Sequence, residues 1–231
     1  MSFPPGLTLF IDADDTLWEN NIHFNAVVHG FCGLLEARGV GRAAAAQRLV
    51  SIERERTRMH GYGVDNFRLA LEEACRQLVT GPCETELREI AALCAALRHR
   101  PVELLPRVED TLDRLRRRHR IILMTKGDRD DQWRKLVRSP LRRTFHAIDV
   151  VREKDPDTYV QALRRHRARP GAAWMVGNSP KSDVAAALEA GLRAVFIPHH
   201  ATWILEMTDL PEFPSERLLV LERFDQLLGH F

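Results

Sequence analysis

The sequence predicts an α/β protein: a mostly parallel sheet covered by helices on both faces, with an all-helical segment inserted after the first strand. Three observations predict it. The chain opens on a short apolar run, Leu7 to Ile11, that ends abruptly in Asp12. From about Asn21 to Leu97, apolar residues recur at helical spacing. After Pro101, short apolar runs alternate with helical stretches of roughly 10–15 residues, the pattern of parallel strands joined by crossover helices.

Each element has its own signal. "LTLFI" reads as a buried strand. "FNAVVHGFCGLLEARG" is an amphipathic helix stopped by Gly39, and "AAAAQRLVSIERERTRM", "VDNFRLALEEACRQLV" and "ETELREIAALCAALRHR" follow as three more helices. The breaks between them are "HGYGV" and "TGPC". Helix "VEDTLDRLRRRH" leads into strand "RIILM", helix "DDQWRKLVRS" into strand "AIDVV", and helix "PDTYVQALRRH" into strand "AWMVG". Helix "KSDVAAALEAG", with Ser182 as its candidate cap and Gly191 as its stop, leads into strand "RAVFIP". No internal repeat or low-complexity segment interrupts the series.

Length separates two domains. A strand–helix–strand crossover takes roughly 30 residues, yet Ile11 and Arg120, which bound the first two clear strands, lie 109 positions apart. The surplus is helical and leaves from the C-terminal edge of the sheet, where open α/β sheets hold ligands. We expect a core of residues 1–17 and 101–231 and a helical cap of residues 18–100.

Composition excludes several classes. The chain has 231 residues, 45% of them hydrophobic, and a net charge of +2, which suits a folded protein rather than an acidic tail or a polyanion binder. The Arg clusters "RLRRRHR" and "LRRHRAR" end helices, where cations complement the dipole, and 32 acidic residues dilute any basic face. Neither a nucleic acid nor a membrane is expected as a partner. Cys32, Cys75, Cys83 and Cys94 lack metal-ligand spacing and read as reduced thiols. No leader-like segment or long apolar run is present, so a soluble, cytoplasmic protein is expected. Only four of the 34 basic residues are lysines, which draws attention to where they stand.

Four strand-end loops carry the chemistry. "LTLFI" ends in Asp12-Ala13-Asp14-Asp15-Thr16, and "RIILM" in Thr125-Lys126-Gly127-Asp128. "AIDVV" is followed by Arg152-Glu153-Lys154-Asp155-Pro156, and "AWMV" by Gly177-Asn178-Ser179-Pro180-Lys181-Ser182-Asp183. In a parallel sheet all four converge on one rim, and three of the four lysines, Lys126, Lys154 and Lys181, lie in them. This ordered series resembles the haloacid dehalogenase superfamily of phosphatases over essentially the whole chain. The helical insertion resembles the subgroup capped directly after the first strand.

The resemblance implies a Rossmann-like core, Mg²⁺ as cofactor and an aspartyl-phosphate intermediate formed on Asp12. It implies that Asp12, the backbone carbonyl of Asp14, Asn178 and Asp183 hold the metal. Asp14 is expected as the general acid and base, holding the proton because like charges crowd it. Thr16, Thr125, Lys126 and Lys154 are expected around the phosphoryl group, with Lys154 pairing with Asp12. The residue types suit the chemistry. Phosphate-monoester hydrolysis is among the slowest uncatalysed reactions, and an anionic nucleophile attacking an anionic phosphate needs charge cancelled by a hard cation and an ammonium. The substrate is then a small phosphorylated metabolite. The alternatives are a 2-haloacid dehalogenase, a phosphomutase and a non-catalytic ligand-binding relative.

One departure stands out. The fourth loop of that superfamily often carries two acidic residues, and here the first is Asn178, so Asp183 is expected to carry more of the metal's charge balance. For other residues the structural reading leads: Asp15 caps a turn or faces solvent, and Lys181 is exposed. Trp18, Asn20, His23 and Phe24 stand where the chain climbs from core to cap. With the "HGYG" loop, His60 to Gly63, they are divided between packing and substrate choice.

Overall fold

A computed structural model describes residues 6–214 and 216–231. Its helices are α1 (Asn21–Glu36), α2 (Arg42–His60), α3 (Val64–Leu78), α4 (Glu84–His99), α5 (Val108–Leu115), α6 (Arg129–Arg138), α7 (Pro156–His166) and α8 (Ala186–Glu189). Its strands are β1 (Thr8–Ile11), β2 (Arg120–Lys126), β3 (Ala147–Val151), β4 (Ala173–Gly177), β5 (Arg193–Phe196) and β6 (Leu218–Val220). All pair in parallel, in the order β3-β2-β1-β4-β5-β6. This is the expected α/β class with a Rossmann-like parallel sheet. The order reverses at β1, and at such a switch point the loops beyond the carboxyl ends open a crevice. Ile11 lies opposite Leu123 of β2 and Val176 of β4, so the loops carrying Asp12, Thr125 and Asn178 emerge side by side.

Burial on both faces explains why β1 is an unbroken apolar run rather than an alternating one. Leu9 and Ile11 enter one core with Trp174 and Val176. Phe10 enters the opposite core with Ile122, Met124 and Met175. Fully burying side chains of this size stabilises by about 1.5–3 kcal/mol each, which holds the strand in one register and the Asp12 loop in one place. The helices that follow the strands are capped by local carboxylates. Asp128 accepts from the N–H groups of Asp130 and Asp131 at 3.1 and 3.0 Å ahead of α6. Asp155 accepts from Thr158 N–H at 2.7 Å ahead of α7, with Pro156 in the first turn.

The chain divides into two compact units. One runs to Asn21 and resumes at Val102–Phe231; the other is Ile22–Pro101. The second unit has its own core, in which Phe31, Leu35, Leu49, Leu71 and Ile90 are fully or almost fully buried. α3 illustrates the helical period: Phe67, Ala70, Leu71, Ala74 and Cys75 form its buried face. Phe24 packs edge-on to Phe67, 4.9 Å between ring centroids, and His23 pairs with Arg100 at 2.8 Å. In the "HGYG" turn Gly61 and Gly63 have φ of 79° and 122°, conformations that glycine alone adopts without strain. All four cysteines are free thiols. No helix among the described residues is long and apolar enough to cross a membrane.

Two elements differ from the sequence reading. β6 is unforeseen, because three residues after a proline-rich stretch give no periodic signal; pairing with β5 creates the strand. The helix expected from Lys181 begins as π-helix over Pro180–Ala185 and becomes α only at Ala186. Its cap is Ser179, whose Oγ accepts from Ser182 N–H at 3.1 Å, while Ser182 is buried beside it. Wide π turns of this kind recur at functional sites, and here the turn carries Asp183.

Candidate active site

Asp12 leaves β1 with its backbone N–H still donating to Val176 O at 2.9 Å, so the nucleophile candidate is anchored to the sheet. Its side chain is 9% exposed. Lys154, 1% exposed, donates from Nζ to Asp12 Oδ1 and, at 2.7 Å, to Asp183 Oδ1. One buried ammonium thus joins carboxylates from the loops after β1 and β4. Gly177 is what lets Asp183 come so close: a Cβ there would lie 2.2 Å from Asp183 Oδ2. That oxygen also accepts from Ser179 N–H at 3.0 Å. Thr16 Oγ stands 3.4 Å from Asp12 Oδ2 and 3.3 Å from Asn178 Oδ1, reaching both loops. Asn178 Nδ2 donates to Thr202 Oγ at 3.0 Å. Thr125 is buried at the end of β2, and its hydroxyl lies 3.5 Å from the Lys126 carbonyl oxygen.

Electrostatics reverse one expectation. Burial, reinforced by Asp183, pushes Asp12 up to about 7 against the pull of Lys154. Asp14, expected to hold the proton, has its carboxyl below the ordinary range. Burial acts to raise it, but Lys135 and hydrogen bonds outweigh burial. Lys135 Nζ reaches both Asp14 oxygens at 2.7 and 2.8 Å. Gln132 Nε2 donates to Oδ2 at 2.8 Å and Trp18 Nε1 to Oδ1 at 2.7 Å. Asp14 is therefore held in its ionised form, with donors on both carboxylate oxygens. Lys154 stays charged: burial opposes its charge, and Asp12 and Asp183 more than compensate.

Lys126 lies among carboxylates. Its Nζ pairs with Glu206 and, at 3.2 Å, with Glu153. Glu206 is buried on the loop after β5 and also accepts from Ser179 Oγ. Burial would raise its carboxyl, but Lys126 and the hydroxyls hold it below the ordinary carboxylate range. Lys181 is exposed, as expected. Asp15 is buried rather than solvated, with φ of 59°, and accepts from the N–H groups of Asn20 and Asn21, each at 2.9 Å, at the start of α1. Trp18 is a packed core residue that donates to Asp14, and Asn20 Oδ1 accepts from Lys135 at 2.8 Å.

Sequence reasoning passed over Lys135, Gln132 and Glu206. Lys135 had a usable signal: it is the fourth lysine of a chain that otherwise uses arginine. Gln132 and Glu206 had none, because nothing local tells which face of a helix or loop turns inward.

The site suits a hard divalent cation. Asp12 and Asp183 are two buried carboxylates sharing one lysine, an arrangement still short of positive charge, and the oxygen of Asn178 adjoins them through Thr16. Carboxylate and amide oxygens are the donors Mg²⁺ takes.

A model of the haloacid dehalogenase-like hydrolase family matches residues 7–191. The chain is 35% identical over 137 residues to a phosphoserine phosphatase of Thermus thermophilus, a stretch covering 57% of this chain and 52% of that protein. It is 27% identical over 157 residues to the human N-acylneuraminate-9-phosphatase, covering 65% and 63%. The matches thus span between half and two thirds of these relatives. A haloacid dehalogenase-like hydrolase from Xanthomonas campestris superposes with a TM-score of 0.84 at 25% identity, covering 98% of this chain and 95% of that one. The L-2-haloacid dehalogenase of Xanthobacter autotrophicus shares the fold at a TM-score of 0.65 and 18% identity, covering 96% of each. The matched stretch runs from the first strand past Asp183, and on that ground the chain belongs to the haloacid dehalogenase-like hydrolase family.

Proposed function

We propose that this protein is a Mg²⁺-dependent phosphatase acting on a small phosphorylated metabolite through a covalent aspartyl phosphate. The observation that carries the reading is Lys154 joining buried Asp12 and Asp183, with ionised Asp14 two residues from the nucleophile. The phosphatases among its relatives support it. Asp12, the backbone carbonyl of Asp14, Asn178 and Asp183 would hold the ion. When bound, Mg²⁺ supplies positive charge that keeps Asp12 ionised and offsets the charge of the phosphoryl group.

Asp12 attacks phosphorus, the ester oxygen leaves with the bonding pair and takes up a proton from solvent water, and phosphate remains on the carboxylate. Water then attacks phosphorus, giving up a proton and restoring Asp12. Lys154 holds Asp12 in line and balances charge as it moves toward the phosphoryl oxygens. Thr125 and Thr16 would hydrogen-bond those oxygens. Asp14 is the proton acceptor for the attacking water. The Ile22–Pro101 unit is proposed as the cap that selects the substrate.

The test is inorganic phosphate release from a panel of phosphomonoesters, with Mg²⁺ or with EDTA. Turnover in Mg²⁺ that EDTA abolishes is the expected result. Halide release from a 2-haloacid in EDTA, without phosphate release, would replace the reading with dehalogenation.

Lys135→Met removes the charge that keeps Asp14 ionised. Burial then raises the Asp14 pKa, and activity that needs the ionised form disappears at higher pH than in the wild type. The acid limb of kcat/KM is expected to move upward by roughly 1–3 pH units. An unmoved acid limb would remove Asp14 from the role of base.

A further inference from the structure

Beside the reaction site, and sharing none of the residues proposed to hold Mg²⁺, three other potential ligands converge. Asp15 and Glu19 come from the segment after β1, and His199 from the loop after β5. A ligand atom from each lies within 4.8 Å of the others. His199 Nε2 is 3.1 Å from Glu19 Oε2, and its Nδ1 is 3.7 Å from Asp15 Oδ1. The His199 side chain is 8% exposed and that of Asp15 6%.

Two atoms there are left unsatisfied by the chain itself. His199 Nε2 and Glu19 Oε2 are both fully buried and neither makes a hydrogen bond, although they face each other at 3.1 Å. Buried polar atoms without partners are uncommon in folded proteins, and where they occur a bound ion or water often satisfies them. A separation near 3 Å without hydrogen-bond geometry is what two neighbouring ligands of one metal have when each metal–ligand distance is about 2.0–2.2 Å. Charge points the same way. Among the described residues the only ion-pair partner of either carboxylate is His199, so two acids share at most one positive ring.

The two segments are already joined here by Asn21, whose side-chain amide donates to Ala201 O. On the other edge of the ring, Nδ1 accepts from the Ala201 N–H at 3.3 Å, which fixes the orientation of the imidazole.

We propose that Asp15, Glu19 and His199 form a binding site for a divalent transition-metal cation of the Zn²⁺ type, separate from the Mg²⁺ site of the reaction. One imidazole and two carboxylates suit such an ion better than Mg²⁺, which prefers oxygen donors and retained water. Bound there, it joins the segment after β1 to the loop that carries Glu206.

The experiment uses the whole chain, stripped with EDTA and dialysed against Zn²⁺ in excess Mg²⁺, followed by elemental analysis and thermal melting. Wild type is expected to retain one Zn²⁺ and to melt higher with it. His199→Gln and Glu19→Gln are each expected to lose that ion, with affinity down by more than roughly 100-fold, beyond the loss of an outer partner alone. Asp12→Asn is expected to retain it. Circular dichroism checks that each variant is folded, and Glu19→Gln stands in if His199→Gln is not. Zn²⁺ held equally by both folded variants, or lost in Asp12→Asn, would overturn the assignment. So would a wild type that binds no Zn²⁺, which would leave His199 bridging the two acids through protons alone. The readout is metal content, so it stands or falls independently of the phosphatase reading.

Discussion

Asp12→Asn is expected to reduce phosphate release by roughly 10⁴-fold or more while leaving the protein folded. The carboxamide is neither an adequate nucleophile nor an anion, so the covalent route through the aspartyl phosphate closes, and residues acting as one unit lose their combined effect together. Stability should not fall. Asp12 is pushed up to about 7 chiefly by burial, with Asp183 adding to it, so the native state carries an unfavourable charge that the amide removes. Lys154 keeps Asp183 at 2.7 Å as its partner. Phosphate release and thermal melting of the same preparation read both halves of the prediction. Activity within tenfold of wild type would remove Asp12 from the role of nucleophile.

Lys154→Met is the converse case and should damage both stability and activity. Its methylene stem is replaced by a side chain of similar volume, but Asp12 and Asp183 are left facing each other, buried, without the ammonium between them. Removing one partner of a buried ion pair costs about 3–5 kcal/mol. The loss is pH-dependent, and its sign follows from proton uptake. Asp12 already titrates near 7 when folded against 3.8 as its reference value, and without Lys154 its folded pKa rises further. A carboxyl with a raised folded pKa binds more protons folded than unfolded between those two values, so stability falls as pH rises through that window. Wild type loses stability in the same way up to about pH 7, so the gap in unfolding free energy between Lys154→Met and wild type should stay level from about pH 4 to 7 and widen above neutrality. Denaturant melts at several pH values measure it. A gap that is constant with pH would mean that Lys154 contributes packing rather than charge.

Much of this site is legible in the sequence because its signals are local. A buried parallel strand must be apolar on both faces, so the run ending at Asp12 is visible without any fold. The same holds for the strands that deliver Thr125 and Asn178. The helical insert is visible because its period and its length both differ from those of a crossover. Less of the arrangement around Asp14 can be read. Asp14 and Lys135 stand 121 positions apart, and their pairing depends on which face of α6 turns toward the loop after β1. Glu206 is harder still, since it follows no periodic element and is recruited by Lys126 and Ser179 from two other loops. β6 exists only as an edge partner of β5.

The sequence by itself determined the fold class, the four strand-end loops and the residue types they carry, because hydrophobic period and strand-end chemistry are written within a few neighbouring positions. Only the tertiary structure decided how charge is distributed among those loops. It raises Asp12, keeps Asp14 ionised, occupies Lys126 with two glutamates and leaves Glu19 and His199 face to face. The reason is physical: a carboxylate's proton affinity depends on burial and on the cations beside it, and both are set by segments that meet only when the chain is folded.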